Sequence, residues 1–358
     1  MVLAPLRRVY SSFAAHVIDV PPRLLALLFF LLVLFFPITT QAKSVLLILT
    51  TTFVYGIFAA SLDLLVGRTG QISLGHALFF GLGGYVTSLL SINLKLPLWV
   101  TIPLSMLVGV LVALLIGFPC LRVKGPYLGL VSIAFPIILV SIIYYFRDIS
   151  PPLDLRNIYG IPNFFPSLTY YQQGVAEYYL TLLLLLFSGI ALYKIANSKT
   201  GMIFVSILDD ELASKASGIN VTKYKLMSFA ISGLFASLAG SVNAHLVGSV
   251  GVGHLSLSLS FMPLIMMIIG GIGTIYGPIV GAFILQILDM YVLTRVVDIP
   301  SSWHYIIYAI IVIVLIIKWS TGLARFVVED VLGELEEARE IEERGRHIWK
   351  RYKRKEKK

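Results

Sequence analysis

The chain has 358 residues, 58% hydrophobic and only 13% charged, with a net charge of +9. A soluble domain carries about 25% charged residues, so this composition excludes a water-soluble fold and indicates an integral membrane protein. A single cysteine, Cys120, excludes a disulfide framework and a thiolate metal cluster. The histidines are scattered, and neither H-E-x-x-H nor G-x-x-x-x-G-K-[ST] occurs, so nothing points to peptide-bond or ATP hydrolysis by the chain itself.

Arg7, Arg8 and Arg23 precede an apolar run with no small-residue cleavage site after it. Residues 1–23 therefore read as a cytoplasmic N-terminal segment before a retained span. Apolar runs follow at 24–37, 44–66, 72–92, 98–118, 127–146, 178–195, 226–248, 259–273, 276–292 and 303–319. Several fall short of the roughly 20 residues a bilayer requires, so eight to ten spans with tilted or broken helices are expected, an all-α bundle over residues 24–323. With both termini inside, the inner loops hold 12 Lys and Arg against 5 in the outer loops, and the other 11 lie in the C-terminal tail. Inner loops collect basic residues, so the expected topology is N-in, C-in.

The stretch "GRTGQISLGHALFFGLGGY", 67–85, places six glycines, Gln71, Ser73 and His76 inside a span. A glycine inside a helix costs about 0.8–1 kcal/mol relative to Ala. Two uses offset this. Gly75, Gly81 and Gly84 let helices approach closely, or Gly70 to Gly75 unwind and present backbone to a wet cavity. Gln71, Ser73 and His76, with Tyr85 at the end of the stretch, make a cavity-lining role as strong as packing. A second interruption, "GGIGTIYG" at 270–277, contributes Gly270, Gly271 and Gly273 to the same expected pathway. The two broken segments run in opposite directions and hint at an inverted repeat. Asp63 reads as the one acid deep in an apolar stretch, either lining the path or paired with Arg68. His245, His254 and His304 fall near outer span ends and read as solvated.

Residues 147–177 form a Pro- and aromatic-rich outer segment, a connector or a gate. Residues 196–225 form the large inner loop. Within it Asp209, Asp210 and Glu211 sit where a helix would begin, and Leu212, Ala213 and Ala216 would share one face. Gly218 would end that helix. The tail, 324–358, has seven Lys and Arg in its last nine residues; such a run is drawn to anionic membrane lipids or merely solubilises. No recognition fold accompanies the charge, so no nucleic-acid partner is expected.

"LDDELASKASGINVTKYKLMSFAISGLFASLAGSV" resembles the cytoplasmic coupling loop of branched-chain amino acid ABC transporter permeases of the LivM type. "GQISLGHALFFGLGGY" and "MIIGGIGTIYGPIVGAFIL" are similar to two further segments of that family, in family order, across roughly 44–323. The resemblance implies a permease with no catalytic residue and no cofactor of its own, ATP being used by partner ATPase subunits. Those subunits would grip Asp209, Asp210, Glu211, Ala213 and Gly218. It also implies a second, LivH-like permease subunit, an extracytoplasmic substrate-binding protein and a cell-membrane location. The outer segment reads "DLRNIYGIP" and lacks the family's glycine pair, and the tail exceeds the family pattern. Urea and short-amide permeases look much alike in these segments. An ion-coupled carrier using Asp63, and a membrane scaffold without transport, are the readings from other classes.

Overall fold

The computed structural model describes residues 22–40, 42–123, 126–146, 155–296, 301–318 and Gly322. The N-terminal residues before Pro22 and the charged tail lie outside the described residues. Two compact units divide the chain. In the first, Met1–Gln41 with Arg325–Lys358, the described part is helix α1, Pro22–Thr39.

The second unit, Ala42–Ala324, holds the remaining elements. They are α2 (Lys43–Thr69), α3 (Ala77–Asn93), α4 (Leu98–Cys120), α5 (Pro126–Phe146), β1 (Asn157–Tyr159) and α6 (Tyr170–Ala196). Then come α7 (Lys199–Asp209), α8 (Glu211–Ala216), α9 (Val221–Val247), β2 (Ser249–Gly251), α10 (Leu257–Gly270) and α11 (Tyr276–Gln286). A π-helical segment, Ile287–Val296, and α12 (Ser301–Lys318) close the unit. Among the described residues five helices are long and apolar enough to cross a membrane: α2, α4, α5, α6 and α9. The expected all-helical multi-span membrane protein is observed.

Helices α2 and α9 sit at the centre. Each is buried around most of its circumference, whereas α4 and α5 bury one stripe and leave residues such as Leu115 and Leu130 exposed. Helix α9 packs on α2, α3 and α4; α2 packs on α6, α10 and α11. In hydrocarbon the hydrophobic effect gives no drive for helix association, so close packing and hydroxyl bonds supply it. A Cβ on Gly83 would lie 2.7 Å from the Ser237 Cα, and one on Gly240 would strike the Phe80 carbonyl. Serines of α9 use this proximity. Ser232 donates to the Ser61 carbonyl (2.6 Å), Ser237 to that of Phe79 (3.1 Å) and Ser241 to that of Gly83 (3.1 Å).

The strands pair antiparallel at one end of α9, with Ile158 opposite Val250. Ile158 is buried with Tyr85, Ile161 and Leu255, and the Tyr85 hydroxyl donates to the Leu155 carbonyl at 3.0 Å. His245 is fully buried, bonded to Thr87 (2.9 Å) and the Pro162 carbonyl (2.8 Å), not solvated as its place in the sequence suggested.

The expected spans need four corrections. The 72–92 span is helical only from Ala77, because Gly70 to His76 are unwound. The 276–292 span divides into α11 and the π segment. Helix α6 begins at Tyr170, inside the expected outer segment, because Gln173 and Glu177 lower the hydropathy without breaking the helix. Gln173 donates to Glu177 (2.9 Å) and accepts from Lys43 (3.2 Å). The inner loop contains two helices, since Asp210 leaves helical geometry between them.

Gly240→Val forces a branched side chain into the Phe80 backbone and should cost about 1–3 kcal/mol or more. Thermal unfolding of the detergent-solubilised protein should fall steeply, while Gly253→Ala, where a Cβ meets nothing within 4 Å, should leave it unchanged.

Candidate transport site

The unwound stretch begins where α2 ends. Gly70 adopts φ +68°, donates to the Val66 carbonyl, and is followed by Gln71 donating to that of Leu65. This is a left-handed glycine cap. The chain then runs without regular structure to His76, and neighbouring hydroxyls meet its amides. Leu74 N–H donates to Ser132 Oγ (2.8 Å) and Ala77 N–H to Ser260 Oγ (3.2 Å). Gly75 lies against the Ser132 carbonyl with no room for a Cβ. Gln71 and Ser73 are buried; the Gln71 amide donates to Ser228 Oγ (2.8 Å) and Thr69 Oγ1 (2.9 Å). His76 bonds Ser61 Oγ at 3.0 Å and stacks on Phe58 with ring centroids 5.2 Å apart. The glycines and polar residues of this stretch serve packing and internal bonding, and none of them lines either cavity described below.

The second interruption lies between α10 and α11. Gly271 (φ +120°), Gly273 (φ +79°) and Ile275 (φ +63°) all have positive φ. For β-branched Ile275 that geometry is strained and persists only where the surroundings hold it. Asp63 does so. Its carboxylate accepts from Gly273 N–H at 2.6 Å and Ile275 N–H at 2.9 Å, while a Cβ on Gly67 would lie 2.6 Å from the Gly273 nitrogen. Gly270 meets the Gly277 backbone. Asp63 therefore cross-braces α2 to the break; Arg68 acts on it through charge, without a hydrogen bond.

A cavity of about 410 Å³ opens at the strand end of the bundle. Tyr55 of α2, Asn157 and His254 contribute, with Ser256, Ser258 and Met262 from the start of α10. His254 is held by Asn243 (3.3 Å) and stacks on Phe80, which also stacks on Tyr55. The cavity walls carry hydroxyl, amide, imidazole and apolar groups but no charged side chain. None of these residues belonged to the sequence-predicted pathway. The alternating serines of "LSLSLS", 255–260, were the available signal. A shallower groove of about 680 Å³ runs between α4 and the start of α9.

Helix α8 stands at the opposite end of α9. Asp210 caps it, accepting from Leu212 N–H (2.8 Å) and Ala213 N–H (3.0 Å). Asp209 instead ends α7, and Gly218 follows α8 with φ +81°. Glu211 pairs with Lys215 (2.8 Å) and with Lys225 of α9 (2.7 Å). Those hydrogen bonds, Lys215 first, hold its carboxyl down to about 2. Ser214 anchors the buried side to the Ser206 carbonyl (2.9 Å), leaving Leu212, Ala213 and Ala216 exposed together.

A polytopic helical membrane protein with two interrupted helices and a capped surface helix is thus defined. The chain belongs to the family described as branched-chain amino acid transport system / permease component, whose model matches residues 44–316. It is 27% identical over 265 residues to the high-affinity branched-chain amino acid transport system permease protein LivM of Salmonella typhimurium, covering 67% of this chain and 61% of that protein. LivM of Escherichia coli is 26% identical with the same coverage. The ribose import permease protein RbsC of Haemophilus influenzae is 25% identical over 283 residues, 77% of this chain and 85% of that one. No solved structure gives a significant match.

Asp63→Ala strands two buried amides and should lower stability by about 3 kcal/mol, with Asp63→Asn losing less because one acceptor remains; denaturation of the solubilised protein measures both. A depressed carboxyl stabilises above its unfolded value and loses that contribution as pH falls through the folded one. The Glu211 bridges should therefore hold at neutral pH and fail between about 4.5 and about 2. A spin label at exposed position 212 should gain mobility in that window, not above it.

Proposed function

We propose that this chain is the permease subunit of an ABC importer and forms part of the translocation path for branched-chain amino acids. The observation that carries this is the family match over 44–316 together with a capped surface helix, α8, that leaves an apolar face uncovered. In this reading α8 receives ATPase subunits that hydrolyse ATP for the complex, through Asp210, Glu211, Ala213 and the turn at Gly218. A second, LivH-like permease subunit completes the pore, and an extracytoplasmic binding protein delivers cargo to the strand end. The basic-residue count supports both termini and α8 on the cytoplasmic side.

The roughly 410 Å³ cavity is then the cargo's entrance, with Tyr55 and Met262 among its walls. Uncharged walls suit a cargo without net charge, such as a zwitterion with an apolar side chain. A sugar is the second reading, favoured by the coverage of the ribose permease and by the hydroxyl-rich wall. ATP-driven closure of the ATPase pair would move α8 and the start of α9, and with them the broken segments. Cargo would pass as the cavity changes the side to which it opens.

Uptake of labelled leucine, ribose and urea by cells carrying the complete transporter separates the cargoes, and ATP-dependent leucine uptake is the expected result. Met262→Trp should fill the cavity and reduce uptake at least about tenfold, a loss of about 1.4 kcal/mol of transition-state stabilisation, with the protein still inserted. Leucine uptake by this chain alone, driven by an ion gradient, would refute the importer.

A further inference from the structure

Two buried groups are left without partners where α2 ends. Gln71 Oε1 accepts nothing and Arg68 Nε donates to nothing. They stand three residues apart on either side of the Gly70 cap. The other half of the Gln71 amide is fully committed. Its two N–H groups meet Ser228 Oγ at 2.8 Å and Thr69 Oγ1 at 2.9 Å, with the Lys225 carbonyl at 3.4 Å. Ser228 itself donates to that same carbonyl at 2.8 Å. A buried polar knot thus ties the unwound stretch to the first turns of α9.

The knot is mechanically continuous with α8. Lys225, whose carbonyl sits in the knot, grips Glu211 with its ammonium at 2.7 Å. That bridge is the charged tie between α8 and α9. Any displacement of α8 therefore acts on the turn of α9 that holds Gln71.

We propose that Gln71 is a positioning residue, a latch that transmits movement of α8 to the unwound stretch, and that in the alternate state of the transport cycle its Nε2 parts from Ser228 while its open Oε1 accepts from Arg68 Nε. This rests on α8 being the helix that receives the ATPase. The physical warrant is that the Gln71 bonds tie the unwound stretch to the first turns of α9, so a step of α9 must either carry the stretch with it or break them. A buried acceptor and a buried donor left open in one arrangement are the counterpart of bonds made in the other. Gly70, with its left-handed cap, is the pivot between them.

The test uses the complete transporter in proteoliposomes. Gln71→Leu should bind the ATPase subunits as the unaltered chain does and keep basal ATP hydrolysis within about twofold, while cargo moved per ATP falls at least about tenfold. Ser228→Ala should lower the same ratio less, and Gln71→Leu with Ser228→Ala should be no worse than Gln71→Leu alone, because both act on one bond. A purely structural role would instead reduce assembly and hydrolysis together. If Gln71→Leu does not insert, cysteines at the adjoining positions 72 and 227, which leave Gln71 and Ser228 in place, with Cys120 replaced by Ser, supply the readout. A short bifunctional reagent should join them in the nucleotide-free complex and not in the ATP-trapped one. Unimpaired cargo per ATP in Gln71→Leu, or equal cross-linking in both states, overturns the latch and leaves the importer standing. Absence of ATP-driven uptake by the unaltered complex overturns both.

Discussion

A backbone amide in a bilayer has no water to bond, so a helix can be interrupted there only where protein supplies the partners. Asp63 is that supply for the break between α10 and α11. Both of its oxygens are spent on the amides of Gly273 and Ile275. A carboxylate is suited to this work because it accepts only and presents two oxygens to two N–H groups. The remaining geometry follows from it. Gly67 must be glycine for the turn to reach α2, Ile275 is held in a left-handed conformation, and α11 leaves the break at an angle that packs it on α2. The other break is satisfied differently, by single hydroxyls: Ser132 for Leu74 and Ser260 for Ala77. One break is braced by a charge on a central helix. The other hangs from side chains on two different helices, α5 and α10.

The same economy governs the core. Helix α9 mixes buried aromatics, Phe229 and Phe235, with a run of buried serines and glycines. Its serines bond carbonyls of α2 and α3, and its glycines admit the backbone of α3. Such an interface is thin and specific, and registers two helices without a thick layer of side chains between them. A small axial or rotational step of α9 consequently changes which hydroxyl faces which carbonyl, so displacement at one end is felt along its whole length.

The all-helical membrane class, the two broken segments and the capped helix at Asp210 were legible in the sequence, because hydropathy, glycine and capping chemistry are local signals. What the glycines do was not legible. Gly83 and Gly240 face the carbonyls of Ser237 and Phe80, 154 and 160 residues away in sequence, and no local pattern reports such a neighbour. Asp63 was recognised as unusual, and Arg68, its nearest cation in sequence, does act on it through charge, but its hydrogen bonds go elsewhere. The true partners are backbone amides beyond position 270 and have no side-chain signature. Gln71 and His76 read as cavity-lining because polarity inside a span suggests water. In the structure both make internal bonds, Gln71 to Ser228 and His76 to Ser61. The cavity was missed for the converse reason: Tyr55, Met262 and His254 are each unremarkable alone, and only the pairing of β1 with β2 brings Asn157 to them.

Cavity and surface helix stand at opposite ends of α9, a helix of 27 residues and so about 40 Å long. A rigid rod between them can report one end to the other only if both ends are held to neighbouring elements, and both are. At the α8 end Lys225 holds Glu211. At the strand end His245 bonds Thr87 and the Pro162 carbonyl, while Asn243 bonds His254 on the cavity wall. A shift of α9 therefore moves His254 against Phe80 and Tyr55 without any change in the cavity's own residues. That arrangement suits a path whose opening is decided elsewhere.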